Sequence, residues 1–212
     1  MSVSIIEVNN VTKKFKELTA LNNVSVSFEE GKIHGIIGRN GSGKTVLFKC
    51  ICGFMQPSSG LIKVYDKIVK TASPEKIGII IEDPGFIGSY SAFKNLKLLS
   101  LVKRQIGSAE IRETIKRVGL DPDNKKGVRK YSLGMRHRLG IAQAIMEKPR
   151  ILILDEPTNG LDKQGVVDIR NLLKELNNEG VTILMSSHYA EDIEVLCHTV
   201  YEMDSGFLDK VR

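Results

Sequence analysis

The sequence lacks an uninterrupted apolar run near the ~20 residues that a membrane-spanning helix needs. Its first five residues also lack the charged-then-apolar order of a secretory signal peptide. We therefore expect a cytoplasmic protein that reaches a membrane only through a partner. No stretch rich in Pro, Gly and Ser divides the 212 residues, and no internal repeat is present. The sequence thus predicts one domain over residues 1–212.

Cysteine is scarce. Cys50, Cys52 and Cys197 form neither an even set nor a C-x₂-C pair. This count argues against a disulfide framework and against a thiolate metal site of the usual spacing. We expect three buried, reduced thiols.

A block of basic residues is also missing. The chain has 31 Lys and Arg against 25 Asp and Glu, a net charge of +6, but these residues are spread along its length. A solvated surface and attraction for a triphosphate account for the excess, so we expect no nucleic-acid partner.

The most informative segment that is present, residues 38–45, fits the pattern G-x-x-x-x-G-K-[ST]. In such a loop, backbone N–H groups turn inward around phosphate oxygens, and the following helix adds its positive N-terminal end. We expect Lys44 to reach the β- and γ-phosphates and Thr45 to hold Mg²⁺. The candidate nucleotide-binding residues here are Gly38, Asn40, Gly41, Ser42, Gly43, Lys44, Thr45 and Val46.

A second segment, the apolar run 151–154, ends in Asp155 and Glu156. Four apolar residues predict a strand buried on both faces, which would carry the Asp155 carboxylate to the metal and the γ-phosphate. Glu156 would then polarise the attacking water.

Each of these two motifs has a plain alternative: a chance glycine-rich turn, or surface acids after a core strand. The loop, however, follows an apolar strand at 33–37 and precedes a helix-like stretch at 46–51, which is the context that phosphate binding requires. The combination predicts hydrolysis of a nucleoside triphosphate.

Apolar runs that end in turn signals alternate with helical periodicity, which favours an α/β fold with a parallel core. Between residues 82 and 151 the pattern changes to helices, predicted at 92–102, 109–118 and 135–146. The predicted strands are 5–8, 24–28, 33–37, 61–64, 77–81, 151–154, 182–185 and 199–203, followed by a terminal hairpin through residues 204–208.

Residues 131–144 end this helical part with a pattern of their own. Ser132 is suited to cap the following helix, and Gly134 would let a ligand approach its first turn. The exposed N-terminus of such a helix is a second possible anion site. An ordinary Ser-capped helix is the alternative.

Together these segments resemble the ATP-binding cassette (ABC) ATPases over nearly the whole chain, and residues 131–144 resemble the LSGGQ signature of that family. The resemblance implies a P-loop NTPase core with a mainly parallel sheet, an N-terminal antiparallel β portion, and an inserted helical subdomain at about 88–148. In this family two nucleotide-binding domains pair head to tail. Ser132 and Gly134 would therefore contact ATP that is held by the loop of the partner.

The resemblance assigns further residues. Residues 159–162 match the D-loop at the dimer seam, and His188 matches the switch histidine that contacts the γ-phosphate. Phe15 matches the aromatic residue that stacks on adenine, with a strand-end core residue as the alternative. Glu82 stands where the family has the Q-loop glutamine, and its carboxylate could ligate Mg²⁺.

The chain departs from the family pattern at several of these positions. Leu133 replaces the first glycine of the signature, Met135 replaces its glutamine, and Val46 replaces a second hydroxyl residue after the loop. The Ser-Leu-Gly-Met variant and Glu82 resemble the subclass that drives export of, or immunity to, bacitracin- and lantibiotic-type peptide antibiotics.

The resemblance implies the ATPase subunit of a transporter, an exporter by its subclass, with ATP and Mg²⁺ as cofactors. Its partners would be separate transmembrane permease subunits, docked near residues 82–93, and a second nucleotide-binding domain, identical or unlike. A soluble ABC ATPase acting on ribosomes or nucleic acid is one alternative, but it would normally contain two cassettes or a coiled-coil insertion. An ATP-binding scaffold without turnover is the other, and the presence of both Asp155 and Glu156 disfavours it.

Overall fold

The computed structural model describes residues 3–70, 76–82, 84–103 and 105–212. Residues 1 and 2 of the predicted signal-free N-terminus, and Asp83 in the predicted docking region, lie outside this part. The strands are β1 (Ser4–Phe15), β2 (Leu18–Glu29), β3 (Ile33–Ile37), β4 (Ser59–Val64), β5 (Lys67–Ile68), β6 (Ile77–Ile80), β7 (Ile151–Leu154), β8 (Thr182–Ser186), β9 (Thr199–Asp204) and β10 (Phe207–Lys210). The helices are α1 (Lys44–Ile51), α2 (Ala92–Lys103), α3 (Ser108–Arg117), α4 (Leu133–Ile145), α5 (Lys163–Asn178) and α6 (Ala190–Leu196).

The strands form two sheets. The first is antiparallel, in the order β2-β1-β4-β5, and confirms the N-terminal antiparallel portion. The second has the order β10-β9-β3-β8-β7-β6 and is parallel from β9 to β6. The predicted parallel core is therefore confirmed.

The terminal hairpin adds β10 antiparallel to β9. Its two turn residues, Ser205 and Gly206, both have positive φ angles, 47° and 84°. This is the backbone shape that matches the twist of a two-residue hairpin.

Side chains of β7 alternate between two apolar cores. Ile151 and Ile153 join α1 and the first sheet, whereas Leu152 and Leu154 join the core of α3, α4 and α5. A strand buried on both faces is typical of a parallel sheet with covered faces. This burial fixes the end of β7, where Asp155 follows.

The predicted helices at 92–102, 109–118 and 135–146 correspond to α2, α3 and α4, with ends that differ by one or two residues. Two helices were not predicted, α5 and α6. They connect β7 to β8 and β8 to β9, as a parallel sheet requires. No helix among the described residues is long and apolar enough to span a bilayer.

All three cysteines are buried and free, as predicted. Burial raises the pKa of the Cys50 thiol to about 11, and that of the Cys52 and Cys197 thiols to about 12. These thiols are therefore protonated and unreactive at neutral pH.

Candidate functional site

The glycine-rich loop runs from β3 into α1 and is pressed between two backbones. A Cβ atom on Gly38 would lie 2.2 Å from the carbonyl oxygen of Met203, and one on Gly43 would lie 2.5 Å from that of Ala20. Both glycines also have positive φ angles, 145° and 120°. Only glycine fits these two positions, and the loop is thereby held over the N-terminus of α1.

Polar groups of this loop are arranged for an anion. The buried Lys44 Nζ donates hydrogen bonds to the carbonyl oxygens of Gly38 at 2.6 Å and Arg39 at 3.1 Å. The Ser42 hydroxyl is buried and has no hydrogen-bond partner among the described residues. An ammonium group, an unsatisfied hydroxyl and a helix N-terminus together fit the phosphates of a nucleotide.

Three elements bring oxygen atoms together beside the loop. Thr45 Oγ1, on α1, donates to Asp155 Oδ2 at 2.7 Å. Ser186 Oγ, at the end of β8, donates to Asp155 Oδ1 at 2.5 Å. Carboxylate and hydroxyl oxygens are the ligands that Mg²⁺ prefers, so Thr45 and Asp155 fit this metal.

Glu156 lies next to the predicted switch histidine. The backbone N–H of His188 donates to Glu156 Oε2 at 3.1 Å, and His188 Nε2 lies 3.2 Å from Oε1. The same Nε2 lies 3.0 Å from Asn40 Oδ1 of the loop. The structure thus brings Glu156, His188 and Asn40 together across three segments that are far apart in sequence.

The environment of Glu156 changes its acidity. Burial raises the pKa of the Glu156 carboxyl, and the neighbouring His188 partly opposes this rise. Its backbone adopts a φ of 54°, a left-handed conformation that is uncommon for a residue with a side chain. Such conformations persist where the surrounding structure fixes them, and here the backbone N–H of Glu156 donates to Ser186 Oγ at 3.0 Å.

Sequence reasoning missed Ser186. This residue follows the apolar run 183–185 in the same way that Asp155 follows 151–154. Since carboxyl ends of parallel strands meet at one sheet edge, the rule that found Asp155 could also have found Ser186.

Phe15 ends β1 with a half-exposed ring. Lys13 Nζ lies 5.1 Å from the centroid of this ring and donates to the carbonyl oxygen of Gln56. The exposure favours the predicted contact with a base over a core position. That contact stays a prediction.

Glu82 lies just beyond β6 with a φ of 64°. Its exposed carboxylate pairs with Lys49 Nζ on α1 at 2.6 Å. The ion pair ties Glu82 to the helix that begins at Lys44. Its role as a metal ligand stays a prediction.

The predicted signature and D-loop touch each other within one chain. Ser132 caps α4 by accepting a hydrogen bond from the backbone N–H of Met135 at 3.2 Å. A Cβ atom on Gly160 would lie 2.5 Å from Leu133 Cδ2, which shows that Leu133 lies directly over the backbone of Gly160. The contact of Ser132 and Gly134 with ATP across a dimer stays a prediction.

A cleft of about 980 Å³ lies beside β6, between the sheet edge and α2 and α4. Pro84 and Gly85, from the predicted docking region, line it together with Phe54, Leu99 and Val102. Phe54 and Val102 are exposed by 59% and 81%. The cleft is therefore an accessible surface with large apolar side chains.

The chain is similar to known proteins in sequence and in structure. A family model described as "ABC transporter" matches residues 21–159. The uncharacterized ABC transporter ATP-binding protein YybJ of Bacillus subtilis (strain 168) is 45% identical over 97% of this chain and 95% of its own length. The bacitracin transport ATP-binding protein BcrA of Enterococcus faecalis is 38% identical over 96% of this chain and 68% of its own length.

A solved structure is similar over almost its whole length. It is the dimeric structure of MJ0796, a bacterial ABC transporter cassette, with a TM-score of 0.89 and 25% identity over 98% of this chain and 99% of that one.

Proposed function

The chain belongs to the ABC transporter family, and we propose which of its residues carry out ATP hydrolysis. It is the ATP-binding subunit of a transporter and an ATPase. The fold class and the bacitracin- and lantibiotic-type subclass that its residues predict are confirmed. The alternative of an ABC ATPase that acts on ribosomes or nucleic acid receives no support from the relatives.

The phosphate side of the site consists of the loop and the first turn of α1. Lys44 faces the β- and γ-phosphates, and the Ser42 hydroxyl supplies a further donor. Thr45 and Asp155, whose oxygens lie 2.7 Å apart, hold Mg²⁺. When bound, this ion neutralises negative charge on the phosphates. Glu82 could add a carboxylate oxygen after it leaves Lys49. Phe15 stacks on the adenine.

Glu156 activates the water molecule that attacks ATP. Its carboxylate orients the water and accepts a proton as the oxygen attacks the γ-phosphorus. The bond from that phosphorus to the oxygen of the leaving ADP then breaks, in line with the attack. The raised pKa of Glu156 brings the carboxyl nearer to the range in which a general base works best at neutral pH. His188 contacts the γ-phosphate.

The observation that carries this proposal is the contact of Glu156 with His188 beside the Thr45–Asp155 pair. Phosphoryl transfer depends on positioning and charge neutralisation, and these side chains combine both.

Two exposed surfaces, the N-terminus of α4 and the cleft beside β6, support the transporter partners that we propose. A second nucleotide-binding domain, identical or unlike, places its Ser132 and Gly134 over the ATP of the first. A permease of separate membrane subunits inserts an apolar coupling helix into the cleft beside Phe54 and Val102. The ATPase would then lie at the inner face of the cell membrane, and export is the direction that its subclass indicates.

The test uses Glu156→Gln, which keeps the shape of the side chain and removes the base. We expect ATP binding to persist, kcat to fall by about 10²–10⁴-fold, and closed dimers to accumulate with Mg²⁺-ATP, because ATP continues to favour the closed state. Phosphate release and light scattering measure these effects. Glu113→Gln, the same change on the exposed surface of α3, is the control.

Adding Ser132→Arg places a bulky side chain at the signature. We expect the dimer of Glu156→Gln to disappear while ATP binding to the monomer remains. A Glu156→Gln protein that stays monomeric at high concentration argues against the homodimer and favours an unlike second cassette. Normal turnover by Glu156→Gln removes Glu156 from the chemistry.

A further inference from the structure

One buried carboxylate outside the residues discussed so far joins two catalytic loops. Asp192, in the first turn of α6, is fully buried. Its Oδ2 atom accepts a hydrogen bond from Thr158 Oγ1 at 2.6 Å and another from Ser187 Oγ at 2.8 Å. Thr158 and Ser187 are themselves buried. A single oxygen atom therefore connects the segment after β7 with the segment after β8.

These two segments carry the proposed catalytic side chains. Thr158 follows Glu156 by two residues, and Ser187 directly precedes His188. Glu156 and His188 lie just beyond the carboxyl ends of the parallel strands β7 and β8. The hydrogen bonds that pair these two strands do not extend to either residue. A small shift of either segment would lengthen the contacts between Glu156 and His188.

The other oxygen of Asp192 is held by a charge. Arg170, on α5, donates from Nε to Asp192 Oδ1 at 2.6 Å, and its Nη2 pairs with the same oxygen at 2.5 Å; Nη1 and Nη2 also pair with Glu191. Since α5 begins directly after the D-loop, Arg170 adds a third element to the same cluster. Both oxygens of the Asp192 carboxylate thus accept hydrogen bonds, from residues on three different segments.

Stability alone does not explain such a cluster. Removing two charges from water is costly, and buried ion pairs are often no more stabilising than apolar side chains of the same volume. A fully bonded polar cluster does fix one arrangement of the elements that meet there.

We propose that Asp192 is a positioning residue for ATP hydrolysis, which locks the segments of Glu156 and His188 together through Thr158 and Ser187. Because Asp192 is fully buried, it would act through Thr158 and Ser187. Its effect is to keep Glu156 in place for the attacking water, so the inference rests on the proposed role of Glu156. Loss of the lock should lower kcat and leave ATP affinity almost unchanged, because the phosphate loop is not part of the cluster.

Direct replacement of Asp192 is a poor test, since Asp192→Asn removes the charge opposite the buried Arg170 and destabilises the fold. The informative variants are Thr158→Val and Ser187→Ala, each of which removes one hydroxyl and keeps most of the volume. We expect each to lower kcat about tenfold, which equals ~1.4 kcal/mol in the barrier. ATP affinity, measured by calorimetry, should change by less than about twofold.

The double variant Thr158→Val/Ser187→Ala separates a shared lock from two independent contacts. Once one hydroxyl is lost, the two segments are already uncoupled. We therefore expect the double variant to remain near the tenfold loss of each single variant, whereas independent contacts would multiply to about a hundredfold. Thr158→Ser, which restores the hydroxyl, should recover most of the turnover.

Thr114→Val is the control, because Thr114 is also a buried threonine, whose hydroxyl donates to the carbonyl oxygen of Glu110 within α3. It should lower the melting temperature about as much as Thr158→Val and leave kcat unchanged. Multiplicative loss in the double variant, wild-type kcat in Thr158→Val, or an equal loss of kcat in Thr114→Val would each overturn the proposal. Glu156→Gln in the same assay tests the proposed function independently of these outcomes.

Discussion

The phosphate side and the signature side of this molecule differ in how far one chain completes them. On the phosphate side, Lys44 is only 6% exposed, and Thr45 bonds to Asp155 within the chain. On the signature side, Ser132 is exposed and its hydroxyl caps its own helix, and Leu133 is 44% exposed. Contacts within one chain therefore complete the phosphate side. The signature side presents a helix N-terminus outward, where the N–H groups of a first turn can bind an anion brought by another molecule.

This difference predicts separate roles for the two sides, in ATP binding and in dimer closure. Changes on the phosphate side should weaken binding of ATP to a single subunit. Changes on the signature side should spare that binding and prevent closure of a dimer.

Lys44→Ala should have the largest effect. It removes a buried charge that we propose faces the β- and γ-phosphates, and losing one partner of a buried charge pair costs about 2–5 kcal/mol. We expect loss of tight ATP binding, measured by calorimetry on the monomer. Lys174→Ala, at an exposed position of α5, is the matched control and should bind ATP normally. Unchanged binding by Lys44→Ala would remove residues 38–45 from the site.

Phe15→Ala should have an intermediate effect on the same side. Stacking of a base on an aromatic ring contributes about 1–3 kcal/mol in nucleic-acid complexes, and we expect a loss of ATP affinity in that range. Phe54→Ala, a change of the same size in the cleft beside β6, should leave ATP affinity unchanged. Equal affinities of Phe15→Ala and the wild type would return Phe15 to a structural role at the end of β1.

The sequence predicts the strands beside the phosphate loop better than the helices that pack against them. Strands 33–37 and 151–154 are predicted with the bounds that the structure has, because short, mainly apolar runs next to glycine or acidic residues leave few alternatives. Helix α5 was missed, although Ile169, Leu172 and Leu173 follow helical spacing on one buried face. That spacing was sufficient to find it.

Side-chain partners were beyond sequence reasoning. Asp192 and Thr158 are 34 positions apart and meet only after three elements pack together. Lys49 and Glu82 are 33 positions apart, and no local pattern marks either residue as half of an ion pair. Contacts of this kind depend on the tertiary arrangement of the elements, which periodicity does not specify.

Glu82→Gln should have the smallest effect, and it tests the border between the two sides. The Glu82 side chain is 67% exposed in its ion pair with Lys49, and ion pairs at the surface contribute about 0–1 kcal/mol, so the free energy of unfolding should hardly change. If the position ligates metal through one oxygen, glutamine supplies that oxygen, and the isolated subunit should keep its turnover. Lys49→Gln is the partner control, since it breaks the same ion pair and leaves the carboxylate in place.

A collapse of Mg²⁺-dependent activity in Glu82→Gln alone would show that the negative charge itself is required. A collapse in both variants would instead identify the ion pair as the requirement, because it ties Glu82 to the helix that presents Lys44 and Thr45. Phosphate release at several Mg²⁺ concentrations distinguishes these outcomes.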